Sequence, residues 1–271
     1  MAQEITGHYV TIDNTRIYYD ECGKGIPFFC IHTAGASSLI YRYFLPIMAD
    51  NGFRAVALDL PGHGRSYPAN WDPFRRMHDF AEFVWKVSKA VFGAEKPVVT
   101  GMSIGGDMTL DLVCNHSKEM RAAIPMEGAA RTPTFADCSE LEHPHACPGW
   151  HNILETGSCH SLHAVCPGEK IVELQWQHRA TPQQTGACDL ECWLDHDVRN
   201  KLKDIKCPVL LIRGEGDFFV PEELIDETLK GIPAGLGEKR IVKNAGHYPA
   251  FEVPEDIAKI IIDFLKRKKV I

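Results

Sequence analysis

The sequence of 271 residues predicts an α/β protein: a doubly wound, mostly parallel eight-stranded sheet flanked by helices, with an inserted and mainly helical segment. Short apolar runs alternate with stretches of helical period along most of the chain, and this alternation stops between residues 128 and 203. With 45% hydrophobic residues the chain can bury a large core. We therefore expect residues 1–127 and 204–271 to form one core, with residues 128–203, here called the inserted segment, lying over it.

The first part of the chain predicts a hairpin followed by parallel strands. Apolar and aromatic residues alternate on both sides of an Asp-Asn turn near the N-terminus, which is typical of two antiparallel strands. The run at residues 27–31 is apolar on both faces, as a buried strand of a parallel sheet is, and the next strand is predicted at residues 54–58. Between them a helix is predicted over residues 39–48, with Ser37 or Ser38 as its N-cap.

The same strand and helix pattern continues on both sides of the inserted segment. Further strands are predicted at residues 98–100, 122–126, 208–212 and 240–242, and further helices at 77–92, 106–112, 221–230 and 254–269. Since the strands of βαβ units point the same way, residues just beyond their carboxyl ends should meet in one crevice.

The inserted segment contains no convincing buried strand. A structureless loop of that length is improbable in a compact domain, so we predict helices at residues 169–179 and 189–204. Six of the ten cysteines and seven of the thirteen histidines lie within residues 138–196.

Cys188, Cys192 and His196 recur at a spacing that would place three metal ligands on one helical face. The other cysteine and histidine spacings match no zinc signature. We therefore predict free, buried thiols, no metal and no cofactor, while disulfides or a structural metal stay open.

Charge and hydropathy exclude two classes of partner. A net charge of −7 argues against nucleic acid, whose phosphates require a basic face. The chain begins without a basic and apolar leader, and no apolar stretch reaches the length that spans a membrane. We expect a cytoplasmic protein with a small-molecule substrate and no nucleic-acid or membrane partner, and leave open whether it forms a homodimer.

The clearest chemical signal is Gly-x-Ser-x-Gly at residues 101–105, between a predicted strand and a predicted helix. Its glycines let the two arms of a sharp turn pass closely, so that Ser103 can hold a strained backbone and an exposed Oγ. The N–H of Ile104 lies at the N-terminus of the predicted helix, where negative charge is favoured. An ordinary Gly/Ser-rich turn with no catalytic role has the same pattern, so other residues of the chain must distinguish the two interpretations.

Two further residues supply that context. Asp217 follows the strand predicted at 208–212, and His247 follows the one at 240–242. Each alone is more often structural, but all three side chains follow strands whose carboxyl ends should meet. In the order serine, acid, histidine they predict a catalytic triad in which His247 takes the serine proton and Asp217 orients the imidazole.

With these residues in place, the sequence outside the inserted segment resembles the α/β-hydrolase superfamily. The run Asp-Leu-Pro-Gly-His-Gly-Arg-Ser at residues 59–66 is similar to the loop that the family carries after its fourth strand. The resemblance implies that the N–H groups of Ala34 and Ile104 form the oxyanion hole, and that the inserted segment is a cap over the site. Thr33 stands where the family usually has glycine, so either this loop has relaxed or the Thr33 hydroxyl is an additional donor.

Glu127 introduces an alternative for the acid. It follows the strand at residues 122–126, where some members of the superfamily place the acid. The loop of Asp217 resembles the usual acid loop better, so we predict that Asp217 is the acid. Glu127 is then expected to be solvated or to contact the cap.

Aromatic and neighbouring side chains are expected to line a substrate pocket, although ordinary packing would explain most of them. The candidates are His32, Met102, Trp150, Trp176, Trp193, Phe218, Phe219 and Tyr248.

The resemblance implies a serine hydrolase that cleaves a small acyl compound through an acyl-enzyme, with a carboxylic ester as the leading substrate. The same triad serves C–C bond hydrolases, thioesterases and lactonases, so these stay open. The fold also hosts non-catalytic receptors of small ligands, which only a measurement of turnover would distinguish.

Overall fold

The computed structural model describes residues 3–133, 139–143, 145 and 148–271, and in this part of the chain eight strands form one sheet. The strands are β1 (Thr6–Ile12), β2 (Thr15–Cys22), β3 (Ile26–Ile31), β4 (Phe53–Leu58), β5 (Val98–Met102), β6 (Ala122–Met126), β7 (Val209–Gly214) and β8 (Gly237–Val242). Their order is β1-β2-β4-β3-β5-β6-β7-β8. Strand β2 runs antiparallel to β1 and β4, and all other neighbours are parallel. The predicted fold class is confirmed.

The helices cover both faces of this sheet. They are α1 (Phe44–Asp50), α2 (Met77–Phe92), α3 (Ile104–His116), α4 (Trp150–His160), α5 (Gly168–Arg179), α6 (Gln183–Asp195), α7 (Glu222–Gly231), α8 (Pro249–Glu252) and α9 (Pro254–Arg267). None of these helices in the described residues has both the length and the apolar character that crossing a bilayer requires.

The helix predicted over residues 39–48 is in fact two pieces. A 3₁₀ turn spans Ser38–Tyr41, and α1 begins only at Phe44. Pro46 explains the interruption, because proline has no N–H for a helical hydrogen bond and is tolerated only in a first turn. Restarting the helix at Phe44 puts Pro46 in that position.

Alternate residues of the strands pack on opposite faces, which is why the central strands are apolar throughout. Phe29 and Val56 belong to the core on the side of α2 and α3, whereas Phe28 and Ala55 belong to the core on the side of α1 and α9. Since both faces are covered, the polar groups available for chemistry lie at the carboxyl ends of the strands.

The inserted segment contains α4, α5 and α6 between β6 and β7. Helix α5 lies where a helix was predicted. Helix α4 was not predicted, since its sequence includes Asn152, Thr156 and Gly157, which are poor helix formers. The helix predicted at 189–204 instead ends at Asp195, because His196 is extended and a separate 3₁₀ turn begins at Arg199.

Within the residues that the structure describes, Cys188, Cys192 and His196 do not form a group that could hold a metal ion. Cys188 contacts Glu142 with its Sγ at 3.5 Å, Cys192 is fully buried, and the Nε2 of His196 lies 2.9 Å from the carbonyl of Ala129. The eight cysteines that the structure describes have free thiols, four of them in the inserted segment. The predicted thiols at Cys138 and Cys147 fall outside the described residues.

Candidate active site

Ser103 lies at a sharp turn between β5 and α3. Its backbone is left-handed, with φ 57° and ψ −123°, and its N–H donates to the carbonyl of Met126 at 3.0 Å. A Cβ at Gly101 would collide with the carbonyl of Gly105, and a Cβ at Gly105 with the carbonyl of Ile31. Both glycines are therefore required by close approach of the backbone, and the strain falls on the serine.

The predicted acid and base are joined directly. His247 Nδ1 lies 3.0 Å from Asp217 Oδ1, which also accepts the N–H of Phe219 at 2.8 Å. Burial by itself would raise the pKa of Asp217, but the charge and the hydrogen bond of His247 lower it below its usual range. An ionised Asp217 accepts the Nδ1 proton of His247, which leaves Nε2 free to act as a base.

Ser103 and His247 line the same cavity. In the described part of the chain no hydrogen bond joins the Ser103 hydroxyl to His247. Contacts of this kind are often long before substrate binds and tighten in the complex.

The amides expected to hold an oxyanion are also beside this cavity. Ala34 and Ile104 both line it, and neither amide has a hydrogen-bond partner among the described residues. Thr33 lines the cavity as well, but its backbone is not left-handed; the positive φ of 65° falls on Gly35 instead. The loop thus accommodates the β-branched residue, because the glycine two positions later takes the strained conformation.

The inserted segment holds this loop in place. Asp189 of α6 accepts the Gly35 N–H at 2.9 Å, and the Thr181 hydroxyl donates to the Gly35 carbonyl at 2.8 Å. The same Asp189 oxygen lies 2.8 Å from the Nε2 of His63, and both side chains are buried. Burial would lower the pKa of His63, but the charge and hydrogen bond of Asp189 raise it. His63 Nδ1 lies 3.2 Å from the carbonyl of Pro61, so both ring nitrogens face acceptors and the geometry suits a protonated imidazole paired with Asp189.

We expect Asp189→Ala to reduce the free energy of unfolding by about 3 kcal/mol, because it leaves the charge of His63 and the Gly35 N–H unpaired in the interior. Urea unfolding of both proteins measures the difference. A suitable control is Lys86→Ala, which removes an ion pair to Asp13 whose side chains are 58% and 62% exposed and should change stability little. Equal effects of the two substitutions would contradict the buried pair.

A second set of contacts holds the loop of His247. The amides on either side of His247 donate to Glu252 Oε1 at 3.0 and 2.9 Å, while Glu252 Oε2 accepts the N–H of His163 at 2.7 Å. The N–H of His247 itself donates to the carbonyl of Ser161 at 2.9 Å. Residues of the inserted segment therefore contact the loops on both sides of Ser103.

The cavity has a volume of about 280 Å³ and an almost entirely apolar lining. Four of the predicted pocket residues line it, namely Trp150, Trp193, Phe219 and Tyr248. The lining also includes residues that no sequence pattern indicated, namely Leu141, Gly157, Ser158, Leu190 and Val220. Most of these belong to the inserted segment, whose helices carry no strong apolar period that would show which face meets the core.

His32 and Met102 were predicted in the pocket but lie beneath it. Leu60 donates its N–H to His32 Nε2 at 2.9 Å, so the ring proton is on Nδ1 and is donated to the carbonyl of Thr33 at 2.7 Å. Burial, and then His63, lower the pKa of His32 to about 3, which keeps the ring neutral. Met102 is the last residue of β5 and is fully buried in the core.

Trp176 and Phe218 are also outside the pocket, because each points to solvent. Trp176 is 64% exposed, since α5 buries Leu174 and His178 on its other face. Phe218 is 58% exposed, and its neighbour Phe219 takes the inward position beside His247.

The prediction that Glu127 is solvated or contacts the cap is wrong. Its side chain is fully buried at the end of β6, and its Oε1 accepts the N–H of Gly214. Burial, followed by the charge of the adjacent Asp217, raises the pKa of Glu127 well above its usual value. Its backbone is left-handed, with φ 50°, which is uncommon for a residue other than glycine.

Comparison with known proteins shows which protein family the chain matches. A sequence model described as the alpha/beta hydrolase family matches residues 28–260. A 2-hydroxy-6-oxo-6-(2'-aminophenyl)hexa-2,4-dienoic acid hydrolase of Metapseudomonas resinovorans is 26% identical, over 96% of this chain and 91% of the relative. A carboxylesterase of Bacillus subtilis (strain 168) is 25% identical, over 79% of this chain and 71% of the relative.

Solved structures resemble the fold over nearly the whole chain. The enol-lactonase from Burkholderia xenovorans LB400 superposes with a TM-score of 0.82 at 18% identity, covering 96% of this chain and 100% of that one. A thermophilic esterase superposes with a TM-score of 0.80 at 22% identity, covering 97% and 98%. At these identities the likeness concerns the fold.

Proposed function

Since the chain belongs to the alpha/beta hydrolase family, we propose that it hydrolyses small, uncharged carboxylic esters through Ser103, His247 and Asp217. The observation that carries this proposal is the Asp217–His247 hydrogen bond of 3.0 Å beside the cavity that Ser103 also lines. A serine with a strained backbone, a base and an acid that orients the base are the parts that acyl transfer requires.

In the proposed first half-reaction, Ser103 Oγ attacks the ester carbonyl while His247 Nε2 takes the hydroxyl proton. Asp217 holds the Nδ1–H of the imidazole and stabilises the imidazolium that forms. The imidazolium then gives the proton to the departing alcohol, which leaves an acyl group on Ser103. Water, activated by the same histidine, releases the acid and restores the hydroxyl.

The N–H groups of Ala34 and Ile104 are the proposed oxyanion hole. Both residues line the cavity beside Ser103, and their amides make no other hydrogen bond in the described residues. Ile104 is the first residue of α3, so the helix dipole adds to its donor. Donors fixed before the reaction stabilise the tetrahedral intermediate without a cost of reorganisation.

We assign residues 128–203 as the cap of this site. Trp150, Leu190 and Trp193 of the inserted segment line the cavity together with Ser103. A cap of this kind excludes water and selects the acyl group that reaches the serine.

The lining favours an uncharged, apolar acyl group. Among the described residues that line the cavity there is no lysine, arginine, aspartate or glutamate. The stretches that the structure leaves undescribed contain no lysine or arginine either. A carboxylate buried there would lack a cationic partner, which costs several kcal/mol.

The lack of a cation among the described lining residues favours ester hydrolysis over the C–C bond hydrolase alternative. The relative from Metapseudomonas resinovorans is named for a dienoic acid, a substrate that carries a carboxyl group. The carboxylesterase of Bacillus subtilis (strain 168) is named for ester cleavage. The absence of a cation from the described lining supports the second kind of substrate for this chain.

We expect p-nitrophenyl hexanoate to be cleaved with a kcat/KM at least about 10²-fold above that of the mono-p-nitrophenyl ester of adipic acid, whose chain has equal length but ends in a carboxylate. Steady-state release of p-nitrophenol measures both, with Ser103→Ala as the blank. A preference for the charged ester would contradict the apolar substrate class. No turnover of any ester above the blank would favour a receptor or a different bond.

A further inference from the structure

Two buried carboxyl groups face one another behind His247. Glu127 follows β6 and Asp217 follows the neighbouring β7, and the two side chains are almost completely buried. One oxygen of each carboxyl group and one imidazole nitrogen of His247 lie within 4.8 Å of one another. Glu127 therefore contacts the acid of the proposed triad without being part of it.

One oxygen of each carboxyl group has a donor, and the other does not. Oε1 of Glu127 accepts the Gly214 N–H, and Oδ1 of Asp217 accepts from His247 and from the N–H of Phe219. Oε2 of Glu127 and Oδ2 of Asp217 are both buried and have no other hydrogen-bond partner among the described residues. Two ionised carboxylates offer only acceptors and would repel each other.

A single proton shared by the two carboxyl groups would give both of these oxygens a partner. The neighbouring groups decide which carboxyl carries it: Asp217 has an imidazole and an amide as donors, whereas Glu127 has one amide. Arg213 donates to the carbonyls of Gly214, Asp217 and Val220 and forms no ion pair with either carboxylate in the described part of the chain. The proton therefore belongs on Glu127.

The pKa shifts agree with this geometry. Burial, followed by the charge of Asp217, raises the pKa of Glu127, whereas for Asp217 the effect of burial is outweighed by the charge and the hydrogen bond of His247, which lower its pKa. Repulsion between two neighbouring carboxylates in the interior disfavours the ionisation of both, so their affinities for protons move apart.

We propose that Glu127 is a protonated positioning residue whose Oε2–H donates a hydrogen bond to Asp217 Oδ2 and so fixes the carboxylate that orients His247. The carboxyl pair then carries one negative charge, all of it on Asp217, beside the imidazole that becomes cationic during the reaction. This inference rests on the proposed triad, and it gives a role to a residue whose backbone is left-handed.

Infrared spectroscopy tests the proton directly and needs no substrate. The C=O stretch of a protonated carboxyl group lies apart from the carboxylate bands, so the spectrum of the protein at pH 7 minus that of Glu127→Gln should show a protonated carboxyl. Asp107→Asn is the matched comparison, because Asp107 is a second buried carboxyl group and burial raises its pKa. It accepts the Ala129 N–H at 2.9 Å and is not paired with Asp217, so its difference spectrum provides a reference for a buried carboxyl group outside the proposed pair. A carboxylate band lost in Glu127→Gln instead would overturn the proposal.

The rate at which a fluorophosphonate labels Ser103 tests the positioning role, again without a natural substrate. Glutamine can donate to Oδ2 and accept from Gly214, so Glu127→Gln should label within about threefold of the unaltered protein. Glu127→Ala removes the donor and should label about 10- to 10²-fold more slowly, since small misplacements of catalytic groups cost rates of this order. Asp107→Asn should label at the unaltered rate.

Each remaining outcome counts against the proposal. A Glu127→Gln protein that labels as slowly as the alanine variant would mean that an ionised Glu127 is needed, and equal rates for all variants would mean that Glu127 positions nothing. Should Glu127→Ala fail to fold, the infrared difference and the Glu127→Gln rate still decide. Failure of the ester assay alone would leave both measurements intact and would concern the substrate class.

Discussion

Replacing Ser103 by alanine is expected to reduce kcat by about 10⁶-fold while leaving the fold intact, since the nucleophile of a triad accounts for effects of that order. Alanine removes only the Oγ atom, and the turn itself is set by the close approach of Gly101 and Gly105 to the backbone. Initial rates on p-nitrophenyl hexanoate and unfolding in urea measure the two quantities. A variant that kept even a hundredth of the activity would exclude Ser103 as the nucleophile.

Labelling by a fluorophosphonate gives the same test a covalent readout. The unaltered protein should incorporate one equivalent, and Ser103→Ala none. Ser158 lines the same cavity, so Ser158→Ala is the informative control and should still incorporate one equivalent. Label that persisted in Ser103→Ala and disappeared in Ser158→Ala would move the nucleophile into the inserted segment.

Replacing Asp217 by asparagine is expected to reduce kcat by about 10⁴-fold. Asparagine carries no charge to stabilise the imidazolium, and where its amide nitrogen takes the place of Oδ1 it donates to His247 Nδ1 and places the imidazole proton on Nε2. His247 could then not accept the serine proton, although almost no volume has changed. Comparison of kcat for the two proteins at neutral pH measures the loss.

Glu127→Gln is the natural control for this substitution, because it makes the same chemical change in the adjacent carboxyl group. We expect Asp217→Asn to be nearly inactive and Glu127→Gln nearly normal. The reverse result would place the catalytic acid after β6, as the sequence alone allowed.

The sheet and the three proposed catalytic residues could be predicted because each left a local pattern. Strands β3 and β4 are apolar on both faces since both faces are buried. Ser103 and Asp217 follow strands of this kind, β5 and β7, whereas His247 follows the more polar edge strand β8. The parallel arrangement then brings the three residues to one edge of the sheet.

The rest depended on contacts between distant parts of the chain. Trp193 lines the cavity while Trp176 faces solvent, and nothing in their neighbouring residues distinguishes them, because the apolar periods of α5 and α6 are weak. The position of Glu127 just after a strand predicts a solvated residue, yet its side chain is buried against the loop that carries Asp217. The sequence around Asp189 does not distinguish it from an ordinary charged residue on an exposed helix. Its role depends on contacts with Gly35 and His63, which are distant in the chain.

The attachment of the inserted segment to the catalytic loops has a consequence for how such a protein can acquire new substrates. Asp189 accepts a hydrogen bond from the Gly35 loop, and Ser161 accepts one from the His247 loop. Exchanging the whole segment for that of a relative would therefore also remove the contacts that position these two loops. Selectivity can change at lower cost through single substitutions at Leu141, Trp150 or Leu190, which line the cavity and take no described part in those two attachments. In a directed-evolution library, functional variants should therefore cluster on the cavity side of the segment, and recombination points within it should be rare among active clones.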